Sequence, residues 1–121
     1  MTVVFDQAAE LVDIRATEYS GLDPVSPFDG GASASGNSSS ASSGAVTTTA
    51  ANELLFGAGI TGGVFSAVGT DFTSRIITVP NGAIGEDRLV TAIGSYAATA
   101  ILSAPSFWVM QMATFKSASQ A

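Results

Sequence analysis

The sequence predicts an all-β chain, an antiparallel β-sandwich or jelly roll of about eight short strands. Three observations predict it. β-Branched and aromatic runs recur at close spacing, with Gly, Pro, Asn and Ser turn signals between them. No stretch carries a sustained amphipathic helical stripe. Ser106 to Lys116 holds the only Trp, two of the three Met and two of the seven Phe. There Trp108, Met110, Met112 and Thr114 alternate with Phe107, Val109, Gln111, Ala113 and Phe115. Both sets are largely apolar, so this stretch is expected to be a central strand covered on both faces.

Taken in order, Thr2 to Phe5 is short, β-branched and aromatic, and reads as a strand. Asp6 to Ala9 reads as a turn. Val12, Ile14 and Ala16 alternate with Asp13, Arg15 and Thr17, which makes Leu11 to Tyr19 a half-buried strand. Gln7 to Thr17 also fits helical spacing through Ala8, Leu11, Val12 and Arg15. Gly21 to Gly30 is an irregular connection, because Pro24 and Pro27 stand among Asp and Gly turn formers. Gly31 to Gly44 is a low-complexity run of Gly, Ala, Ser and Asn. It is expected to be strand-like at both ends with a mobile tip at Asn37 to Ser40, since small side chains bury little against the cost of ordering.

Ala45 to Thr49 continues as a strand. Leu54 to Ile60 is an apolar strand whose glycines suggest a bulge or the close approach of another layer. Thr61-Gly62-Gly63 turns into Val64 to Val68. Phe72 to Val79 and Ile84 to Ala92 form a hairpin about Pro80-Asn81-Gly82, where Pro fixes φ and Asn-Gly accepts positive φ. Tyr96 to Leu102 follows, and Ser103-Ala104-Pro105 is expected to turn into the final strand. Ser117 to Ala121 reads as a frayed tail. At 121 residues the chain suits one domain, 1–121, with one two-layer core.

Composition excludes several functions. Charged residues make up 12%, about half the usual share. A net charge of -6 argues against nucleic acid, which needs clustered Lys and Arg. It argues equally against an anionic membrane surface, and no apolar run reaches the roughly 18 residues of a spanning helix. With no Cys and no His, disulfides, thiolate catalysis, the usual zinc sites and Ser-His-Asp triads are absent. Met1 to Asp6 lacks the basic and apolar regions of a signal peptide. Gly57, Gly59 and Gly62 match a bare GxGxxG, but no helix pattern follows, so no nucleotide site is expected.

The carboxylates and a few aromatics are the remaining candidates. Glu86 and Asp87 are neighbours on a strand and point to opposite faces, so they cannot pair catalytically. Asp23 and Asp29 lie in the Pro-rich connection and can join Asp71 or Asp87 as oxygen ligands for calcium, against the plainer reading of solvated loop acids. Glu18 is expected beside Arg75 or Arg88 in a structural ion pair. Tyr19, Tyr96 and Trp108 suit a sugar-stacking platform, whereas a strand covered on both faces makes Trp108 a core residue. The ligand-facing set is therefore Tyr19, Asp23, Asp29, Asp87 and Tyr96, with no catalytic residue assigned.

Glu18-Tyr19-Ser20-Gly21-Leu22-Asp23, Ala51-Asn52-Glu53-Leu54-Leu55-Phe56-Gly57, Phe72-Thr73-Ser74-Arg75 and Trp108-Val109-Met110-Gln111 carry a resemblance. The chain resembles the C-terminal part of a laminin-G or concanavalin-type β-sandwich module of large secreted bacterial proteins. The resemblance spans Val3 to Phe115 and implies a fold and a secreted parent, but no active site. Several strands normally precede the segment that looks like Thr2 to Phe5, so it also implies a truncated or gene-cassette-encoded module. Unpaired edges and exposed apolar surface are then expected, and with them a homo-oligomer formed by edge pairing or by a shared face. The expected function is a non-enzymatic structural or adhesion-type module that self-associates; the alternative is a carbohydrate-binding module, calcium-assisted or not. A carboxylate-based glycan-cleaving enzyme using Glu18 and Glu86 is the weakest reading, since no paired acids are visible.

Overall fold

One long strand near the C-terminus organises the sheet. The computed structural model describes residues 2–8, 14–80 and 82–118, and among these it contains strands and no helix. The strands are β1 (Phe28–Ser42), β2 (Val46–Thr47), β3 (Glu53–Thr61), β4 (Phe65–Val68), β5 (Thr73–Thr78), β6 (Gly82–Val90), β7 (Ser95–Tyr96) and β8 (Thr99–Lys116). All pairings are antiparallel. The main sheet runs β1-β8-β3-β6-β5, β4 pairs with β8 off this path, and β2 with β7 forms a small second sheet.

β8 reaches both layers because it bends. Its C-terminal half pairs with β1 and β3, while Ala100, Ile101 and Leu102 pair with β4. Ser38 faces Ser106 and Ser40 faces Ile101, so residues 102–105 of β8 stand opposite Ser39 alone. The expected turn at Ser103-Ala104-Pro105 is thus a bulge within a single strand. Pro105 fits there because it has no N–H to give to a ladder. Beyond the bend, β4 folds over β5 and β6. Between the layers lie Leu55, Phe65, Ile84, Leu102 and Met110.

Glycines in β3 mark close approach rather than a bulge, since β3 keeps unbroken register with both neighbours. A Cβ on Gly57 would stand 2.8 Å from Ala98 Cβ, and one on Gly59 would stand 2.7 Å from Met110 Sδ. The β5–β6 hairpin forms as expected, with Thr78 opposite Ala83; Asn81 of its turn lies outside the described residues.

Further expectations are corrected. The low-complexity run has no gap at Asn37 to Ser40, because β1 continues through it along β8. Its small residues make packing room: Ala32 and Ala34 sit opposite Met112 and Met110, and a Cβ on Gly36 would stand 2.6 Å from Trp108 Cζ2. Backbone pairing with β8, invisible to composition, supplies what the small side chains do not. Thr2 to Phe5 is exposed and forms no strand. Ile14 to Ser20 also forms no strand; it lies on the outer face of the main sheet and makes its contacts through side chains. The remainder of that expected strand, Leu11 to Asp13, lies outside the described residues, as do residues 119–121 of the expected tail; Ser117 and Ala118 are not frayed, since Ser117 bridges to Leu22 and Ala118 N donates to Gly21 O.

Candidate functional site

Alternation divides the main sheet into an inner face and an outer one. On β8, Met110, Met112 and Thr114 point inward and are buried, whereas Phe107 is 71% exposed and Val109 37%. On β3, Leu55 is inward and buried, and Ile60 is outward and 61% exposed. The final strand is therefore covered on one face only, which corrects the expectation of two. Neighbouring positions of β1 are uncharged as well, with Ser35 opposite Val109 and Asn37 opposite Phe107.

Residues 14–22 cover the other side of this face. Arg15 donates from Nη2 to Thr78 Oγ1 at 2.8 Å. The Tyr19 hydroxyl donates to Asp87 Oδ2 at 2.7 Å, and its ring meets Phe56 edge-on with centroids 6.0 Å apart. Arg75 clamps the same carboxylate through Nε at 2.7 Å and Nη2 at 3.0 Å. This paired geometry holds Asp87 below the ordinary carboxylate range, against burial that raises it and with the Tyr19 hydrogen bond adding to the depression. Tyr19 is pushed up, by burial first and then by Asp87. Of the predicted ligand-facing residues, Tyr19 and Asp87 are thus brought together, and each satisfies the other. Glu18 is exposed; Asp87 takes Arg75, and Asp71 takes Arg88 at 3.6 Å.

Between this segment and β8 lies a cleft of about 370 Å³, bordered by Arg15 and Val109 and floored by Ala58, Ala83 and Gly85. A Cβ added to Gly85 would meet nothing within 4 Å.

The other predicted residues sit elsewhere. Asp23 accepts from Val25 N and Ser26 N at 2.9 and 3.2 Å, closing its own turn, and these two bonds hold its carboxyl low. Asp29 accepts from Thr49 N and Oγ1 at 2.8 and 2.6 Å. Burial raises Asp29, but bonds from Thr49 and Glu53 outweigh it and leave the carboxyl low. Glu53, fully buried, accepts from Ala50 N at 3.0 Å and is pushed up by burial and by Asp29. Glu53 Oε1 is buried without a hydrogen-bond partner. Tyr96 donates to Ala92 O and lies under Arg88, whose guanidinium carbon is 5.2 Å from the ring centroid. Among the described residues, no three carboxylates converge on a point that suits a cation. Asp23, Asp29, Asp71 and Asp87 each serve a different local structure instead.

Glu86 faces inward and Asp87 outward, as alternation requires. Glu86 is completely buried; Oε2 accepts from Gly69 N at 3.0 Å and Oε1 has no partner. Burial pushes its carboxyl up to about 7. Gly57 makes the space for it, since a Cβ there would be 3.1 Å from Oε1. Glu86 lines neither the cleft over Gly85 nor the groove beside Tyr19.

The uncovered row Phe107, Val109 and Ile60 is the feature that sequence reasoning missed. Its signal was present in the two apolar sets of β8, which the covered-strand reading assigned to the chain's own core. Compared with protein families, characterised proteins and solved structures, the chain matches none.

Proposed function

We propose that this chain is a non-enzymatic structural or adhesion-type β-module that works by associating with copies of itself. One observation carries the reading: among the described residues, large apolar side chains left exposed outnumber those buried. The exposed set includes Phe28, Leu89, Phe107, Val109, Ile60 and Val25. Single exposed apolar groups are ordinary on any surface, but a contiguous row on one sheet face marks an interaction site. The low charge content and the lack of His and Cys support a role without catalysis, as does the burial of Glu86. The resemblance to laminin-G-type modules supports an extracellular, adhesive setting. Light scattering behind size exclusion, run across a dilution series, tests it. A mass of twice the 12.1 kDa chain or more, falling on dilution, is expected; a single-chain mass at every concentration would remove the reading.

A glycan-binding reading has one observation in its favour. Tyr19 and Asp87 border a groove of about 510 Å³ with Thr17, Arg75 and Leu89, a mixture of polar and apolar groups that suits a sugar ring. Binding on a glycan array that is lost in Tyr19→Ala would support it. Binding unchanged in that variant, or none at all, would remove this groove as the site.

A further inference from the structure

We infer that the self-association just proposed runs face to face through the outer side of the main sheet, with Phe107 of each copy seated in the Gly85 cleft of the other. This rests on the reading of the chain as a self-associating module and names its surface and partner. Self-complementarity is the main argument. A two-fold contact places one patch against its own image, so the patch must carry both a projection and a recess. Phe107 is the projection, at 71% exposure. The cleft of about 370 Å³ over Gly85 is the recess, and Gly85 is the floor position above which the space is empty. Val109 and Ile60 border the cleft and also flank Phe107. A two-fold axis near them brings each Phe107 over the partner's recess.

Charge and area agree with this occupant. Each copy carries -6, so two copies repel except where a face is uncharged. Across β1, β8 and the open end of β3 the outward positions are Ser35, Asn37, Phe107, Val109, Gln111 and Ile60, none of them ionisable. The uncovered part of the face, three strands at about 4.8 Å spacing and nine residues at about 3.3 Å rise, measures roughly 430 Å² in plan, before the cleft over Gly85 is added. That is about half of the roughly 800 Å² per partner of a standard stable interface, which suits a dimer that dissociates on dilution.

Two variants test it from opposite sides of the contact. Phe107→Ser removes the projection from an exposed position, and Gly85→Leu fills the recess where an added Cβ meets nothing. Thermal unfolding of each variant reports whether the fold persists. Sedimentation velocity of wild type and both variants is then compared at matched concentrations, in low and high salt. Wild type is expected to dimerise at least as well in high salt as in low, since salt screens the repulsion between two copies of net charge -6. Each variant is expected to weaken the dimer more than about tenfold while still unfolding cooperatively. A wild-type dimer left intact in both variants overturns this interface while keeping self-association, and points to the open edge of β1 instead. A wild type that stays single-chain throughout overturns both. Should Phe107→Ser fail to fold, Gly85→Leu alone decides.

Discussion

Glu86, fully buried with one oxygen unpartnered, ties the stability of the fold to pH. Its carboxyl is pushed up to about 7 by burial, with only Gly69 N bonded to it. The unfolded chain releases that proton near the ordinary value of 4.5. The folded state therefore binds the proton more tightly. The advantage is complete below about pH 4.5, declines as the pH rises and is gone above about pH 7. The shift corresponds to about 3 kcal/mol. Glu86→Gln is expected to flatten the stability profile between these limits and to raise stability at pH 8 by about 1–3 kcal/mol, after the cost of seating the amide. Urea denaturation at several pH values checks this; equal slopes in variant and wild type would exclude the buried acid as the cause. Two glycines give opposite forecasts. Gly36→Val puts a Cβ into the Trp108 ring and is expected to cost about 1–3 kcal/mol. Gly85→Leu is expected to cost nothing comparable, because its space is open. A denaturation series in which the two behave alike would contradict these placements.

At the scale of elements, β1 shows what a sequence can and cannot display. Its composition is that of a flexible linker, and on composition alone a mobile tip at Asn37 to Ser40 follows. The information that orders it lies in β8, whose Trp108, Met110 and Met112 need thin neighbours at Gly36, Ala34 and Ala32. That relation spans distant parts of the chain and has no local signal. By contrast, β3, β4, β5 and β6 were legible because their apolar alternation and turns are local, and the Asn-Gly hairpin was legible for the same reason. The candidate site was legible in part. Tyr19 and Asp87 were named, but not their contact. Asp23, Asp29 and Tyr96 were named for ligands, while the turns and corners they close through hydrogen bonds were not foreseen. Hydrogen exchange tests the strand directly. Amides of β1 from Gly31 to Ser38 are expected to alternate, those directed at β8 exchanging slowly and those on its open edge rapidly. Uniformly fast exchange would restore the linker; uniformly slow exchange would mean that the open edge is paired.

For the whole molecule, the distribution of apolar surface decides the account. An apolar set on each side of β8 reads from sequence as a strand buried on both faces. The chain buries one set in its own core and leaves Phe107 and Val109 of the other exposed, and periodicity cannot distinguish a core made by one chain from a core completed by two. The most direct measurement is an isotope-filtered nuclear Overhauser experiment on a mixture of labelled and unlabelled protein, which records only contacts between copies. Cross-peaks from the Phe107 ring to Gly85 and Ala58 of the other copy are expected. Cross-peaks confined to the β1 backbone, or none in a sample that scatters as a single chain, would contradict this contact.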